Sequence, residues 1–170
     1  MFMGPMVAEP LSVKQIQEKV ALVRDIFNLS DCEYIDIVSL LERDLVDVGI
    51  NFEVKTKQEM GDDHGKMIPE KNAIYIREDV YNRACEGCER DRMTIAHEIG
   101  HLFLHSQNAV SFARADPKRK HPAYRDPEWQ ANVFAGELLA PAKTIKGLSV
   151  VEVQRTYGIS SQAARIQLRR

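Results

Sequence analysis

Apolar residues recur at helical spacing through residues 13–27, where Ile16, Val20, Val23 and Phe27 share a face and Ser12 stands at the N-cap position. A second stripe, Ile37, Leu40, Leu41 and Leu45, predicts a helix over 35–48 that Gly49 closes. The period then drops to two: Ile50, Phe52 and Val54 alternate with polar residues and predict a strand. The polar stretch 58–65, with Gly61 and Gly65, predicts a loop, and 66–68 and 73–77 predict two short strands joined across 69–72. Helical periodicity returns over 90–105 and 127–140. Between them runs a long polar connection, 106–126, with Pro117, Pro122 and the basic run KRKH at 118–121. Connections of that length in a compact domain are commonly functional or mobile. Near the end, Ser149 and Glu152 form a capping-box pattern, Gly158 closes that helix, and Ser160 precedes a last one containing Ala163, Ala164, Ile166 and Leu168.

The pattern predicts an α+β domain with helices around a small three-stranded sheet. Its parts are N-terminal helices at 11–48, the sheet at 50–77, two helices at 90–140 and a C-terminal helical hairpin at 149–170. Its length of 170 residues fits one domain spanning 1–170, with no internal repeat or linker. A net charge of -2, with 28% charged residues, calls for no nucleic acid or anionic membrane as a global partner. The opening residues show no basic start followed by an apolar run, and no stretch is long enough to span a bilayer. Three cysteines are too few for a disulfide framework, so a reduced, cytoplasmic protein is expected.

Chemistry enters at residues 97–101, HEIGH. Two histidines four apart lie about 40° apart around a helix, so both imidazoles can reach one ion, and Glu98 is placed to take a proton from a metal-activated water. Random placement would give roughly 0.01 such matches in a chain of this composition. Ile95, Ile99, Leu102 and Phe103 fall on the opposite side, between about 140° and 240° from His97, so the motif has a polar face to itself.

A metal site needs a third ligand. His105 continues the series but lies about 12 Å along the axis from His97, too far to share one ion. The longer pattern ending in a third histidine fails, because Leu104 and Gln107 occupy its Gly and His positions. The next helix offers Glu128, with Asp126 as a rival. Asn132, one turn beyond Glu128, is placed to hydrogen-bond a ligand histidine, and the small Ala131 and Ala135 would let the two helices approach closely. Glu137 falls on the opposite face and is expected in solvent. Candidates to stabilise an oxyanion are His105, His121, Tyr124 and Arg125. Residues 73–77 are a candidate edge strand for an extended substrate.

The blocks RDRMTIAHEIGHLFLH at 90–105, EWQANVFAGELLAP at 128–141 and VVEVQRTYGISSQAARIQLRR at 150–170 resemble the ImmA/IrrE family of metallopeptidases. The resemblance covers about residues 35–170. It implies a zincin-like domain with His97, His101 and Glu128 as metal ligands and Glu98 as general base. The cofactor it implies is one zinc ion per chain, with manganese or another divalent ion as the alternative. The substrate it implies is a protein, a helix-turn-helix repressor of a phage, mobile-element or stress regulon. A second reading is a metal-containing regulator of antitoxin or anti-repressor type that binds without cutting; an intact Glu98 favours the enzyme. Cys85 and Cys88, spaced C-x-x-C, stand outside the family's catalytic pattern and lack a second pair. The tail resembles a helix-turn-helix, but without a basic chain behind it direct DNA binding is not expected.

Overall fold

A computed structural model describes residues 6–106, 113–114 and 122–170; the KRKH run and His121 lie outside them. Strand β1 (Met6–Val7) pairs antiparallel with β5 (Ala113–Arg114). Helix α1 (Val13–Ile26) starts as expected: the Ser12 hydroxyl accepts from the Gln15 N–H, and the Gln15 side chain accepts from the Ser12 N–H. The second helical stretch runs as α2 (Ile37–Ser39), a π-helical segment (Leu40–Asp44) and α3 (Leu45–Asp47), which together bury Ile37, Leu40, Leu41 and Leu45.

The sheet has the order β2 (Asn51–Lys55), β4 (Ala73–Arg77), β3 (Gly65–Ile68), with β2 parallel and β3 antiparallel to β4. This corrects the expected edge. Residues 73–77 form the central strand, paired on both sides, and Ala73, Ile74 and Ile76 are buried in a near-continuous apolar run. The edge beside the HEIGH motif is β3.

Two short helices escaped the periodicity. Helix α4 (Lys57–Met60) occupies the start of the expected loop, capped by Thr56 and Glu59 in a reciprocal box. Helix α5 (Glu78–Cys85) buries only Val80 and Ala84, a stripe too thin to read. Cys85 therefore ends α5 and Cys88 is the N-cap of α6 (Glu89–His105), so the pair flanks a tight turn at Gly87, φ +85°, and both thiols are free.

Helix α6 and helix α7 (Pro127–Leu139) form the centre of the molecule. They touch at backbone distance: a Cβ on Gly100 would stand 3.1 Å from the Ala131 carbonyl oxygen, 3.2 Å from its Cα and 3.2 Å from the Phe134 Cβ. On their inner sides Ile95, Ile99, Leu102, Phe134, Leu138 and Leu139 join the core that α1 and β4 complete. The C-terminal hairpin, α8 (Val150–Tyr157) and α9 (Ser161–Leu168), buries Val153, Tyr157, Ile159 and Ala164 against this body. Arg92 of α6 locks it there. Its guanidinium donates to the carbonyls of Gly158 (3.1 Å), Tyr157 (3.3 Å) and Ile35 (2.9 Å) and lies 4.0 Å over the Tyr34 ring. Among the described residues, no helix is long and apolar enough to cross a membrane.

Gly100→Ala tests the close approach. Overpacking against backbone costs about 1–3 kcal/mol, and the helix-propensity gain returns only about 0.5–1 kcal/mol. A fall in thermal midpoint of about 2–8 °C is expected by calorimetry; an unchanged or higher midpoint would show that the helices can part without cost.

Candidate metal centre

His97 and His101 project from consecutive turns of α6, and Glu128 from the first turn of α7. Asp126, the rival ligand, is instead the N-cap of α7, its carboxylate accepting from the Glu128 N–H at 2.9 Å. The ligand atoms converge: His97 Nε2 lies 2.9 Å from His101 Nε2 and 3.1 Å from Glu128 Oε2, and His101 Nε2 lies 3.2 Å from Glu128 Oε1. Donors each about 2.0–2.2 Å from one tetrahedral ion sit roughly 3.3–3.6 Å apart, so a small outward shift of these side chains gives the cluster the size and chemistry for a divalent cation. Glu128 is 65% exposed, so the group is open on that side.

Hydrogen bonds behind the imidazoles aim their lone pairs. His97 Nδ1–H donates to Asn132 Oδ1 at 2.9 Å, the placement expected for Asn132, which leaves Nε2 free to ligate. The His101 arrangement is longer and was not foreseen. Gln130 Nε2 donates to the carbonyls of Glu9 (2.7 Å) and Tyr124 (2.8 Å), which fixes its amide and turns Oε1 toward His105 Nε2 at 2.8 Å. His105 Nε2 must therefore carry the proton. Neutral His105 then accepts at Nδ1 from His101 Nδ1–H, 3.0 Å away, and His101 Nε2 keeps its lone pair for the cluster. Burial holds His105 below the usual imidazole pKa, which favours that neutral form. His105 is thus buried behind His101 with both ring nitrogens engaged, which corrects its candidacy as an oxyanion donor.

The electrostatics favour positive charge at the convergence point. His101 and then His97 hold the Glu128 carboxyl far below its ordinary range. At His97, burial is the largest single effect and opposes protonation, but Glu128, Glu98 and Asn132 together outweigh it and raise its pKa. Glu98 is 7% exposed; burial raises its carboxyl pKa, partly offset by His101 and His97. The backbone N–H of Met67 on β3 also lowers it, as the smallest of these effects. The close approach of β3 to Glu98 depends on Gly65, where a Cβ would come within 2.7 Å of Glu98 Cγ.

A cleft of about 440 Å³ opens over Glu98 and His97, walled by Asp63, His64 and Gly65 on one side, Arg90 and Thr94 on the other, and Ser160. Sequence reading missed His64, Gly65, Gln130 and Gly100. Only Gly65 gave a signal, and that signal was a turn. Tyr124 and Arg125 sit on the 3-10 turn ahead of α7 and are not among the residues lining this cleft. His121 lies outside the described residues. Glu137, expected in solvent, is 3% exposed and accepts from Gln17, Gln167 and the Ala142 N–H.

The model of a known peptidase family, Peptidase_M78, described as the IrrE N-terminal-like domain, matches residues 47–169. No curated protein matches the chain significantly. The matched span includes both helices of the cluster, β3, β4 and the C-terminal hairpin.

Gln130→Leu should free the His105 tautomer and weaken metal binding by about 10–100-fold, as should Asn132→Ala. Competition with a chromogenic chelator measures both. Wild-type affinity in Gln130→Leu would refute the relay through His105.

Proposed function

The chain belongs to the IrrE N-terminal-like peptidase family, and on that footing we propose that it is a zinc-dependent endopeptidase. Its proposed substrate is an exposed segment of a helix-turn-helix transcriptional repressor from a phage, mobile-element or stress regulon. The observation that carries the peptidase reading is the convergence of His97, His101 and Glu128 beside a buried glutamate, Glu98, and an edge strand, β3, that pairs on one side only among the described residues.

His97, His101 and Glu128 would hold the ion. When bound, it supplies Lewis acidity, polarising a peptide carbonyl and bringing the pKa of water to about 7. Glu98 accepts the proton of the attacking water and returns it to the leaving amine. A carboxyl raised by burial suits both halves of that exchange better than an ordinary surface glutamate. The β3 edge offers backbone groups to an extended segment, which would bring its peptide plane over Glu98. His64, on the cleft wall, is a candidate to bind the oxyanion. The repressor assignment rests on the resemblance to the ImmA/IrrE family.

Co-expression with a helix-turn-helix repressor encoded beside the gene, followed by mass spectrometry, should reveal defined fragments. Glu98→Gln should lower the cleavage rate by about 100-fold or more while metal content stays at the wild-type level. Gly65→Ala should lower the rate with folding and metal binding intact, because its Cβ displaces Glu98. Complex formation without fragments, indifferent to Glu98→Gln, would replace this reading with that of a metal-containing regulator.

A further inference from the structure

A second cavity lies near the C-terminal end of α7, where Glu137 stands about 14 Å along the helix axis from Glu128. Its volume is about 230 Å³, and its walls come from α1, the end of α7, residues 141–146 and Arg170. That is far more than an ordered water requires and below the roughly 300–1,000 Å³ of sites for drug-sized ligands. The cavity is large enough for a small metabolite and too small for a nucleotide.

Its chemistry is cationic. Arg24, Lys143, Lys146 and Arg170 line it against a single acidic side chain, Glu137. Arg24 is 4% exposed, and its Nη1 and Nη2 donate to the carbonyls of Leu138 and Cys32, each at 2.5 Å. Carbonyl dipoles satisfy hydrogen bonds but do not neutralise the charge, and among the described residues no carboxylate pairs with Arg24. A buried cation without a counter-ion is costly, and burial lowers the Arg24 pKa accordingly. Glu137 does not serve as that counter-ion. Its Oε1 accepts from Gln17 and Gln167, and its Oε2 from the Ala142 N–H. Lys143 and Lys146 are exposed at the mouth, and Arg170 hydrogen-bonds the Gln167 side chain beside it.

We propose that this cavity is a binding site for a small organic phosphate, with Arg24 at its floor and Lys143 and Lys146 at its mouth. A dianionic headgroup matches the surplus of positive charge better than a single carboxylate, and guanidinium donors suit phosphate oxygens. The remaining volume takes a short carbon skeleton. Because Arg24 also holds the Leu138 carbonyl, an occupant would brace the end of the helix whose N-terminal half carries Glu128 and Asn132.

Calorimetric titration of the metal-loaded full chain with glycerol 3-phosphate should give one saturable site per chain in the millimolar range or tighter. The thermal midpoint should rise with ligand concentration. Inorganic phosphate should bind more weakly, and malate, a dicarboxylate of similar size, more weakly still. Lys143→Ala with Lys146→Ala removes only exposed side chains and should weaken glycerol 3-phosphate binding about tenfold or more. Arg24→Met should abolish it, and the lysine pair decides the matter if that variant does not fold. Glu128→Ala, which disturbs the metal cluster, should leave it unchanged. No saturable heat, equal affinity in the lysine variant, loss in Glu128→Ala, or tighter binding of malate would each overturn the proposal.

Discussion

The backbone contact of α6 and α7 at Gly100 and Ala131 governs the rest of the structure. Two histidines on one helix can offer two donors and no more, so a third must come from elsewhere at a separation of a few ångströms. Gly100 removes the side chain that would hold α7 away, and the backbone of Ala131, its carbonyl oxygen and Cα, packs against it. Behind the contact, Ile99, Leu102, Phe134 and Leu138 bury apolar surface, which drives the helices together. In front of it, Glu128 and Asn132 arrive one turn apart opposite His97. The polar cluster is assembled by the hydrophobic packing on the other face of the same two helices.

Once assembled, the cluster is controlled by groups that never reach its centre. Asn132 sets one imidazole directly; Gln130 and His105 set the other in sequence, starting from two backbone carbonyls that can only accept. Buried polar groups are costly unless satisfied, and here the same bonds that satisfy Gln130 and His105 determine which nitrogen of His101 is bare. Glu98 shows the opposite use of burial. It is kept nearly dry beneath β3, and burial raises its carboxyl pKa.

Buried arginines tie this core to the chain termini. Arg92 gathers carbonyls from the segment ahead of α2 and from the turn of the C-terminal hairpin, and Arg24 does the same for the end of α7 and the loop after α1. A guanidinium serves here because its planar fork reaches several carbonyls at once and stays charged when desolvated. Arg92 has the face of Tyr34 to share its charge, whereas Arg24 has a cavity.

The helix boundaries with strong caps, the motif HEIGH and the helix carrying Glu128 and Asn132 were legible because their signals are local: periodicity, Ser12, Ser149 and Ser160 as caps, and residues four apart on one helix. Helix α5 was not, since it buries too few residues to leave a stripe. The rank of β4 as central strand, the burial of Glu137 and the position of His105 behind His101 were decided by tertiary structure alone. Each depends on which distant segment packs alongside: β2 and β3 for the strand, Gln17 and Gln167 for the glutamate, Gln130 for the histidine. A helical wheel assigns a residue to a face, but whether that face meets water or another element depends on contacts between residues far apart in the chain.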